Sequence, residues 1–325
     1  MPPTELHIFA GAYLAKWRRM YGELSFGEIL TKLRRRITSR LFLWYRDALA
    51  QAFRARNFLT KNAAIPAHAG GVPFQIVPEG AIAFHSWSGL RFERDELEFI
   101  LRMLHPGMTF FDVGANIGLF SLAAGAKLRG KEAQLFAFEP CSATFAILEK
   151  NLALNGLTNV QTVHAAVSDA AGEAELFVNA AFKDGLNSLH DPSHTDAEVV
   201  GREAVRTVTL DDFVSAAGLA RVDVMKVDVE GAERLVFRGG QKLLARPDAP
   251  LILYEGYSWC TAGFRYHPVE LLWLLADCGY ELFVLDSASG RVRQRRSGES
   301  FDAMVVAVKP THPGYRELLL GKGKA

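Results

Sequence analysis

Cysteine is scarce in this 325-residue sequence, which contains only Cys141, Cys260 and Cys278. None of them has the two-residue spacing of a zinc or redox pair, and their odd number argues against a disulfide framework. The sequence also lacks a run of about 18 apolar residues, and Glu5 and His7 interrupt the start where a secretory signal would need an apolar core. We therefore expect a soluble, cytoplasmic protein in a reducing compartment.

An excess of charge of one sign is also missing. The net charge is +1, so no overall electrostatic field favours nucleic acid, and we predict no nucleic-acid partner. Hydrophobic residues make up 49% of the chain and charged residues 22%, a globular mixture that excludes a disordered chain. The charge is nevertheless uneven, because residues 1–60 contain eleven basic and only four acidic groups.

Residues 1–62 are predicted to be helical. Apolar side chains recur there every three or four positions between the basic ones, as Leu30, Leu33, Ile37 and Leu41 show. One interpretation is an amphipathic arm that contacts an anionic membrane surface or a partner protein. The other is a helical cap whose basic face is simply solvated. The sequence leaves both open, and it also leaves open whether the chain forms a homo-oligomer.

The next two segments differ in their hydrophobic pattern. Residues 63–92 carry several turn signals and two short apolar runs, 74–77 and 81–84, which predict a β-hairpin linker. From residue 93 to residue 310, strand patterns alternate with helix patterns. Such alternation predicts an α/β, Rossmann-like domain with a mostly parallel sheet.

Two features depart from this alternation. Strands predicted at 281–285 and 303–308 have no helix between them, which predicts an antiparallel edge strand on the sheet. Residues 179–204 lack periodicity and are predicted to be an inserted loop, either an ordinary surface loop or a lid over a ligand. Residues 311–325 are predicted to form a C-terminal tail.

A glycine-rich turn follows the first predicted strand of this domain. Asp112, Gly114, Asn116 and Gly118 lie where the strand ends and a helix begins, and Asn116 is a candidate N-cap. Glycines allow a ligand to approach the backbone, and the helix start offers free N–H groups. The spacing departs from the G-x-G-x-x-G of dinucleotide sites. A carboxylate before the first glycine would repel a phosphate and would suit a cationic group.

A second acidic residue ends the next predicted strand. Glu139 lies 25 positions after Gly114, near the distance at which an acid accepts the ribose hydroxyls of a bound nucleoside. Combined with Asp112, it describes a nucleoside with a positively charged tail that lacks phosphate. S-adenosylmethionine has this chemistry.

A third group of acids follows the predicted central strand. Asp228 and Glu230 are two positions apart at its carboxyl end, so both carboxylates are expected to face one crevice. Alternatively, Glu230 and Glu233 stabilise the start of the following helix through its dipole. Lys226 is expected to pair with an acid.

Five motifs succeed one another along the chain, at 111–118 (Phe-Asp-Val-Gly-Ala-Asn-Ile-Gly), 138–140 (Phe-Glu-Pro), 166–169 (Ala-Val-Ser-Asp), 209–211 (Thr-Leu-Asp) and 226–233 (Lys-Val-Asp-Val-Glu-Gly-Ala-Glu). In order and spacing they resemble the FkbM-type methyltransferases over roughly residues 90–260. This resemblance implies a class I fold with seven strands and an antiparallel last strand. It also implies S-adenosylmethionine as cofactor and O-methylation of a hydroxyl on a sugar, a glycan or a natural product.

The resemblance also assigns residues to the cofactor. Asp112 and Gly114 would border its methionine part, Glu139 its ribose, and the segment after the third strand, which includes Asp169, its adenine. The predicted cofactor-binding residues are Asp112, Gly114, Ala115, Asn116, Gly118, Glu139, Pro140, Ala166, Ser168 and Asp228.

No residue is marked as the catalytic base by its motif. Methyl transfer needs a base within hydrogen-bond reach of the acceptor hydroxyl, and the predicted catalytic residues are Asp228, Glu230 and His267. Histidines in the linker and the insert are weaker candidates: His85, His190 and His194. Glu255 ends the fifth strand, where it would either contact the acceptor or serve the fold.

Further candidates concern metals and sugars. Asp228, Glu230 and Glu255 could form an all-oxygen Mg²⁺ site, but no ligand spacing specifies one, so no metal residue is assigned. Four aromatic residues could stack on a sugar ring or simply pack: Trp87, Tyr257, Trp259 and Tyr266.

Two other function classes remain. An NAD-dependent oxidoreductase of Rossmann type is disfavoured by the glycine spacing and by the antiparallel strand. A non-catalytic scaffold, held at a membrane by the basic segment, is disfavoured because Asp112, Gly114 and Glu139 are all present.

Overall fold

The computed structural model describes residues 49–88, 93–179, 187–190, 199–286, 291–294 and 302–320. The chain divides into two compact units, residues 1–59 and 60–325. In the first unit, residues 49–59 form a helix, as predicted. Residues 1–48 lie outside the described residues, so both interpretations of the basic segment remain predictions. Within the described ranges, no helix has the length and apolar character needed to span a membrane.

A hairpin opens the second unit, but not the predicted one. Strand β1 (Ile65–Ala69) pairs with β2 (Val72–Ile76) in antiparallel register. Both glycines of the connecting 70–71 turn have positive φ angles, as tight hairpin turns require. The run at 81–84 lies in helix α1 (Gly80–Ser88), so its assignment as a strand is wrong. A continuous apolar run of four residues has no period that separates a strand from a buried helix.

The elements that follow alternate as the sequence predicts. The remaining strands are β3 (Thr109–Val113), β4 (Gln134–Phe138), β5 (Val160–Val163), β6 (Ala166–Val167), β7 (Gly172–Asn179), β8 (Val199–Val208), β9 (Val224–Val227), β10 (Leu251–Gly256), β11 (Glu281–Asp286), β12 (Arg291–Gln294) and β13 (Ala303–Val308). The helices are α2 (Arg94–Met103), α3 (Leu119–Lys127), α4 (Ser142–Leu154), α5 (Leu210–Ala216), α6 (Glu233–Arg238), α7 (Gln241–Ala245), α8 (Ser258–Thr261), α9 (Val269–Asp277) and α10 (Tyr315–Leu320).

The central sheet has eight described strands in the order β12-β11-β13-β10-β9-β3-β4-β5. The five strands from β10 to β5 run parallel to one another. Every residue of β3 and β9 is buried, as expected for strands covered by helices on both faces. The fold is therefore α/β with a mostly parallel sheet, and the carboxyl ends of β3, β4, β9 and β10 meet at one edge.

The antiparallel strand lies inside the sheet instead of at its edge. β13 inserts between β10 and β11 and is antiparallel to both. The predicted edge position is therefore wrong, and the edge belongs to β12, which is antiparallel to β11. β13 is buried almost throughout, whereas β12 is half-exposed or exposed. The apolar composition of β13 suits an interior position, while β12, with two arginines, suits an edge.

A small second sheet contains β6, β7 and β8. The sequence patterns predict strands at 160–167, 175–178 and 205–210, but the first of these is divided, because β6 leaves the main sheet and pairs with β8, which in turn pairs with β7. β8 begins at Val199, so the end of the predicted loop at 179–204 is strand. Residues 180–186 and 191–198 of that insert lie outside the described residues.

The sequence pattern predicts a single helix near 232–245, but the structure has two helices there, α6 and α7. The break lies at Gly239, where an added Cβ would stand 2.0 Å from the Ser168 backbone oxygen. Only glycine allows this approach of the helix end to the segment after β6.

Candidate active site

A cavity of about 460 Å³ opens at the carboxyl ends of the parallel strands. Open α/β sheets bind their ligands at this edge. We distinguish two parts of its wall. The glycine side consists of Gly114, Ala115, Asn116, Glu139 and Pro140, and the β10 side consists of Glu96, Glu255, Tyr257 and Trp259.

The cavity collects most of the residues that the sequence singled out. Its wall includes Gly114, Ala115, Asn116, Glu139, Pro140, Ala166, Asp228 and Glu230. Four predicted site residues are not part of this wall, namely Asp112, Gly118, Ser168 and His267.

The turn after β3 is held against two neighbouring strands. The backbone N–H groups of Gly114 and Ala115 donate to the Phe138 carbonyl, at 3.1 and 2.9 Å. Gly114 has φ +80°, and an added Cβ would lie 1.8 Å from the Asp228 carbonyl oxygen. The turn can therefore pack on the end of β9 only with glycine at this position.

Lys226 is the central positive charge of the cavity wall. Its ammonium lies 2.9 Å from an Asp228 carboxylate oxygen, 4.0 Å from Asp112 Oδ1 and 3.3 Å from the Gly114 carbonyl. It also lies over the Phe120 ring. Despite its burial, the pKa of Lys226 is raised, because the surrounding carboxylates favour the charged form. The sequence prediction that Lys226 pairs with an acid is confirmed.

Asp112 lies behind the cavity wall. It is fully buried, and its Oδ2 accepts a hydrogen bond from the Ser121 hydroxyl at 2.6 Å. Burial raises its pKa, while Lys226 and Ser121 act against that shift. Asp112 is not among the residues of the cavity wall, whereas Lys226, 4.0 Å from its Oδ1, is. The assignment of Asp112 to the cofactor stays a prediction.

Glu139 braces the glycine turn and reaches the cavity. Its two carboxylate oxygens accept the N–H groups of Asn116 and Cys141, each at 2.9 Å. Burial raises its pKa to about 7, against the effect of these two hydrogen bonds. Each carboxylate oxygen keeps a further lone pair for a ligand hydroxyl.

Three neighbours of the turn have structural functions. Asn116 is not the N-cap of α3, because it has a left-handed φ of 52° and its side chain accepts the N–H of Ile117. Gly118, also left-handed, occupies the N-cap position and does not line the cavity. Ser168 is buried, donates its N–H to Val208 and packs against Gly239. The neighbouring part of the cavity wall is apolar and is formed by Ala165, Ala166, Val167 and Leu176.

A strained turn after β9 presents Glu230 to the cavity. Glu230 has a left-handed φ of 53°, which is uncommon for a non-glycine residue. The buried Glu233 carboxylate accepts the N–H groups of Val229 and Gly231, on either side of Glu230. The Tyr266 hydroxyl lies 2.9 Å from the Gly231 carbonyl and 3.2 Å from Glu233. Glu233 therefore fixes the turn in addition to starting α6.

Glu230 itself is an unusual carboxyl group. Burial raises its pKa well above the usual range, and the negative charges of Asp228 and Glu233 add to the effect. Its Oε2 accepts a weak hydrogen bond from the Cys260 thiol at 3.7 Å, and its carbonyl accepts one from Ser188. Asn187 and Leu189, in the described part of the insert, also line the cavity.

Acids from outside the recognised motifs complete the wall. Glu93 and Glu96 reach the cavity from the start of α2, where Glu93 has a left-handed φ of 48°. Burial raises the pKa of Glu93 to about 8. Sequence analysis missed both residues, because they precede the five motifs and resemble ordinary acids in a first helical turn. A left-handed glutamate leaves no sequence signal.

The candidate histidines differ in position. His267 is exposed on the loop before α9. Its backbone N–H donates to Glu270, and its ring Nδ1 accepts the backbone N–H of Val269. This position does not support its assignment as a catalytic residue. His85 lines the cavity, and His190 packs against Phe264. His194 lies outside the described residues.

One set of donor atoms has the spacing of a metal site. A carboxylate oxygen each of Glu230 and Glu255 and the Cys260 sulfur lie within 4.8 Å of one another. Asp228, the third acid of the Mg²⁺ site that the sequence suggests, is instead paired with Lys226.

Comparison with known proteins identifies the family of this chain. Residues 112–282 match the family model described as the methyltransferase FkbM domain, which is more than half of the chain. The chain belongs to this family.

Several relatives carry related names. The match to methyltransferase sdnD of Sordaria araneosa is 33% identical over 153 residues, covering 39% of this chain and 58% of the relative. The match to 31-O-demethyl-FK506 methyltransferase FkbM of Streptomyces tacrolimicus is 33% identical and covers 42% and 60%. The match to 2-O-methyltransferase NoeI of Sinorhizobium fredii is 30% identical and covers 47% and 64%. The chain thus spans less than two thirds of the length of these relatives.

Proposed function

We propose that this FkbM-family chain is an S-adenosylmethionine-dependent O-methyltransferase that acts on a hydroxyl group of a sugar, a glycan or a natural product. Family membership supports the reaction class, and the names of two relatives specify O-methylation for those proteins. The observation that carries the proposal is the charge of the cavity. Lys226 is the only lysine or arginine among the described residues of its wall, and Asp228 already pairs with it.

This charge distribution suits a cationic nucleoside. Asp228 lies beside Gly114 of the glycine turn, and its carboxylate would favour the sulfonium and ammonium groups of S-adenosylmethionine. Glu139 would accept the ribose hydroxyls, and the apolar wall at Ala166 and Leu176 would contain the adenine. The pyrophosphate of NAD would instead meet carboxylates with no free lysine or arginine from the described wall, which disfavours the oxidoreductase alternative.

The cofactor would supply a methyl group on a positively charged sulfur. The chain must then hold the acceptor oxygen roughly 3 Å from that methyl, on the side opposite the sulfur, because positioning supplies much of the rate in such displacements. The hydroxyl proton leaves as the new carbon–oxygen bond forms, and a nearby carboxylate can accept it.

Glu230 is the best-placed proton acceptor among the predicted catalytic residues. Asp228 is held by the Lys226 ammonium, and His267 lies away from the cavity. Glu230 lines the cavity, and burial raises its pKa, so in its ionised form its carboxylate is more basic than an ordinary one. The proton would move from the acceptor hydroxyl to a Glu230 carboxylate oxygen.

Methyl transfer to a panel of sugars and polyketide-like alcohols, measured as a mass increase of one methyl group with equimolar S-adenosylhomocysteine, tests the proposal. Replacement of Glu230 by glutamine should lower kcat by about 10²-fold or more, the usual size of base catalysis. The affinity for S-adenosylhomocysteine should change less than about twofold. Methyl transfer at an unchanged rate would remove Glu230 as the base, and binding of S-adenosylhomocysteine without transfer to any acceptor would contradict the activity.

A further inference from the structure

The β10 side carries two carboxyl groups that have no lysine or arginine partner among the described residues. Glu96 comes from the first turn of α2 and Glu255 from the end of β10, and both line the cavity. Neither carboxylate forms an ion pair with a lysine or arginine in the described ranges, and Lys226 is committed to Asp228 and Asp112. A ligand that enters here meets two carboxyl groups from different elements of the wall.

The same two carboxyl groups act electrostatically on Tyr257, which lines the cavity with them. The pKa of Tyr257 is raised to about 12 by burial and by the negative charges of Glu255 and Glu96. Tyr257 follows directly after β10 and stacks with Trp259, with ring centroids 6.3 Å apart and planes at 28°. Both aromatic residues line the cavity.

Carboxylates beside aromatic rings form a binding site that suits an organic cation. An ammonium group over a tyrosine or tryptophan face is attracted by the ring, and it forms charge-assisted hydrogen bonds with carboxylates. A carboxylate or phosphate on the acceptor would be repelled by Glu96 and Glu255, and only a neutral or cationic acceptor avoids this cost. Burial raises the pKa of Glu96, and burial together with neighbouring acids raises that of Glu255 well above its usual range, so both carboxyl groups ionise most readily with a cation between them.

We propose that the methyl acceptor carries a protonated amine, which lies between Glu96 and Glu255 and against the Tyr257 ring while its hydroxyl faces Glu230. This inference rests on the proposed function and specifies its substrate class as amine-bearing alcohols, such as amino sugars. Glu230, Glu255 and Cys260 have the spacing of a metal site, so a metal ion is an alternative cation for part of the same surface. The experiment must therefore separate an amine from a metal ion.

Calorimetric titration of the full chain, saturated with S-adenosylhomocysteine and containing a chelator, tests the proposal with probes that differ in one charge. The probes are glucosamine, galactosamine and mannosamine, each compared with its N-acetyl form at neutral pH and equal ionic strength. We expect at least one amino sugar to bind at least tenfold more tightly than its N-acetyl form. Glu255→Gln should abolish this preference, because glutamine keeps the size of the side chain and removes its charge.

The matched control is Glu173→Gln, an exposed substitution on β7 away from the cavity, which should retain the preference. Equal affinities within every pair, or no binding of any probe, would overturn the inference. A preference that survives both Glu255→Gln and Glu96→Gln would overturn the placement of the amine. Appearance of the preference only when Mn²⁺ replaces the chelator would assign the carboxylates to a metal. Failure to bind S-adenosylhomocysteine at all would instead contradict the proposed function.

Discussion

Glu139 joins the architecture of the glycine turn to the proposed recognition of ribose. Its two carboxylate oxygens hold the N–H groups of Asn116 and Cys141, so the chain itself fixes the orientation of the side chain. Ribose binding would therefore cause no loss of side-chain entropy at Glu139, because the rotamer of Glu139 is already fixed.

Replacement of Glu139 by alanine should weaken binding of S-adenosylhomocysteine at least tenfold, which corresponds to about 1.4 kcal/mol. The change removes the acceptor for the ribose hydroxyls and loosens the turn that contains Asn116. Calorimetry measures the affinity, and thermal unfolding of the same sample establishes that the variant is folded. An unchanged affinity in a folded variant would eliminate the ribose assignment.

At the scale of residues, the sequence identified strand ends correctly but not the direction of every side chain. Glu139, Asp228 and Glu230 meet in the cavity because each follows a parallel strand at the same edge of the sheet. Asp112 lies in register with Lys226, two positions before Asp228, and is fully buried within the sheet instead of lining the cavity. His267 follows a strand and precedes Pro268, as a site residue would. It is nevertheless exposed on the surface, where it forms local hydrogen bonds with Glu270 and Val269.

Among the elements, the turn between β9 and α6 depends on one buried brace. The Tyr266 hydroxyl reaches across from the loop before α9 to the Gly231 carbonyl and the Glu233 carboxylate. Glu233 in turn accepts two N–H groups that flank Glu230. The left-handed conformation of Glu230 is thus maintained by residues that do not themselves need to contact a ligand.

The variant Tyr266→Phe should lower the free energy of unfolding by about 1–3 kcal/mol, because it leaves buried acceptors without their donor. The proposed base would then be held less firmly, so kcat should fall while the affinity for S-adenosylhomocysteine stays within about twofold. Denaturant unfolding and steady-state kinetics measure the two effects. Equal kcat values for the wild type and the variant would show that the brace serves stability alone.

Element boundaries were predictable where the pattern was long and failed where it was short. The apolar periodicity from Ser142 and the Asn155-Gly156 pair predict a helix over 142–154, and α4 has these bounds. The four-residue run at 81–84 and the two-residue strand β6 were misassigned, since such short segments are determined by the partner against which they pack. The interior position of β13 could not be read from the chain order, because sheet order depends on contacts between distant segments.

On the scale of the whole molecule, the cavity concentrates carboxyl groups that burial makes hard to ionise. The pKa of Glu93 is raised to about 8, and those of Glu139 and Glu233 are each raised to about 7, from a usual value of 4.5. Between pH 4.5 and about 8, the folded chain therefore keeps protons that the unfolded chain has already released. The contribution of these groups to stability must fall as the pH rises through this range.

We expect the ligand-free chain to have a melting temperature at pH 8 that is lower than at pH 5.5 by about 2 °C or more, the shift for a loss of roughly 1 kcal/mol. Glu93→Gln should reduce this difference, because the variant has no proton to lose at that position. Differential scanning calorimetry at both pH values measures it, and the exposed Glu173→Gln serves as the control. A difference of the same size in Glu93→Gln and the wild type would contradict the raised pKa of Glu93.

The central claim is that the acid-rich crevice beside the glycine turn selects a sulfonium nucleoside and not a phosphorylated dinucleotide. Calorimetric titration of the full chain with S-adenosylhomocysteine and, separately, with NAD tests it most directly. The account predicts saturable binding of one S-adenosylhomocysteine per chain and no binding of NAD. Saturable binding of NAD, with no heat from S-adenosylhomocysteine, would contradict it.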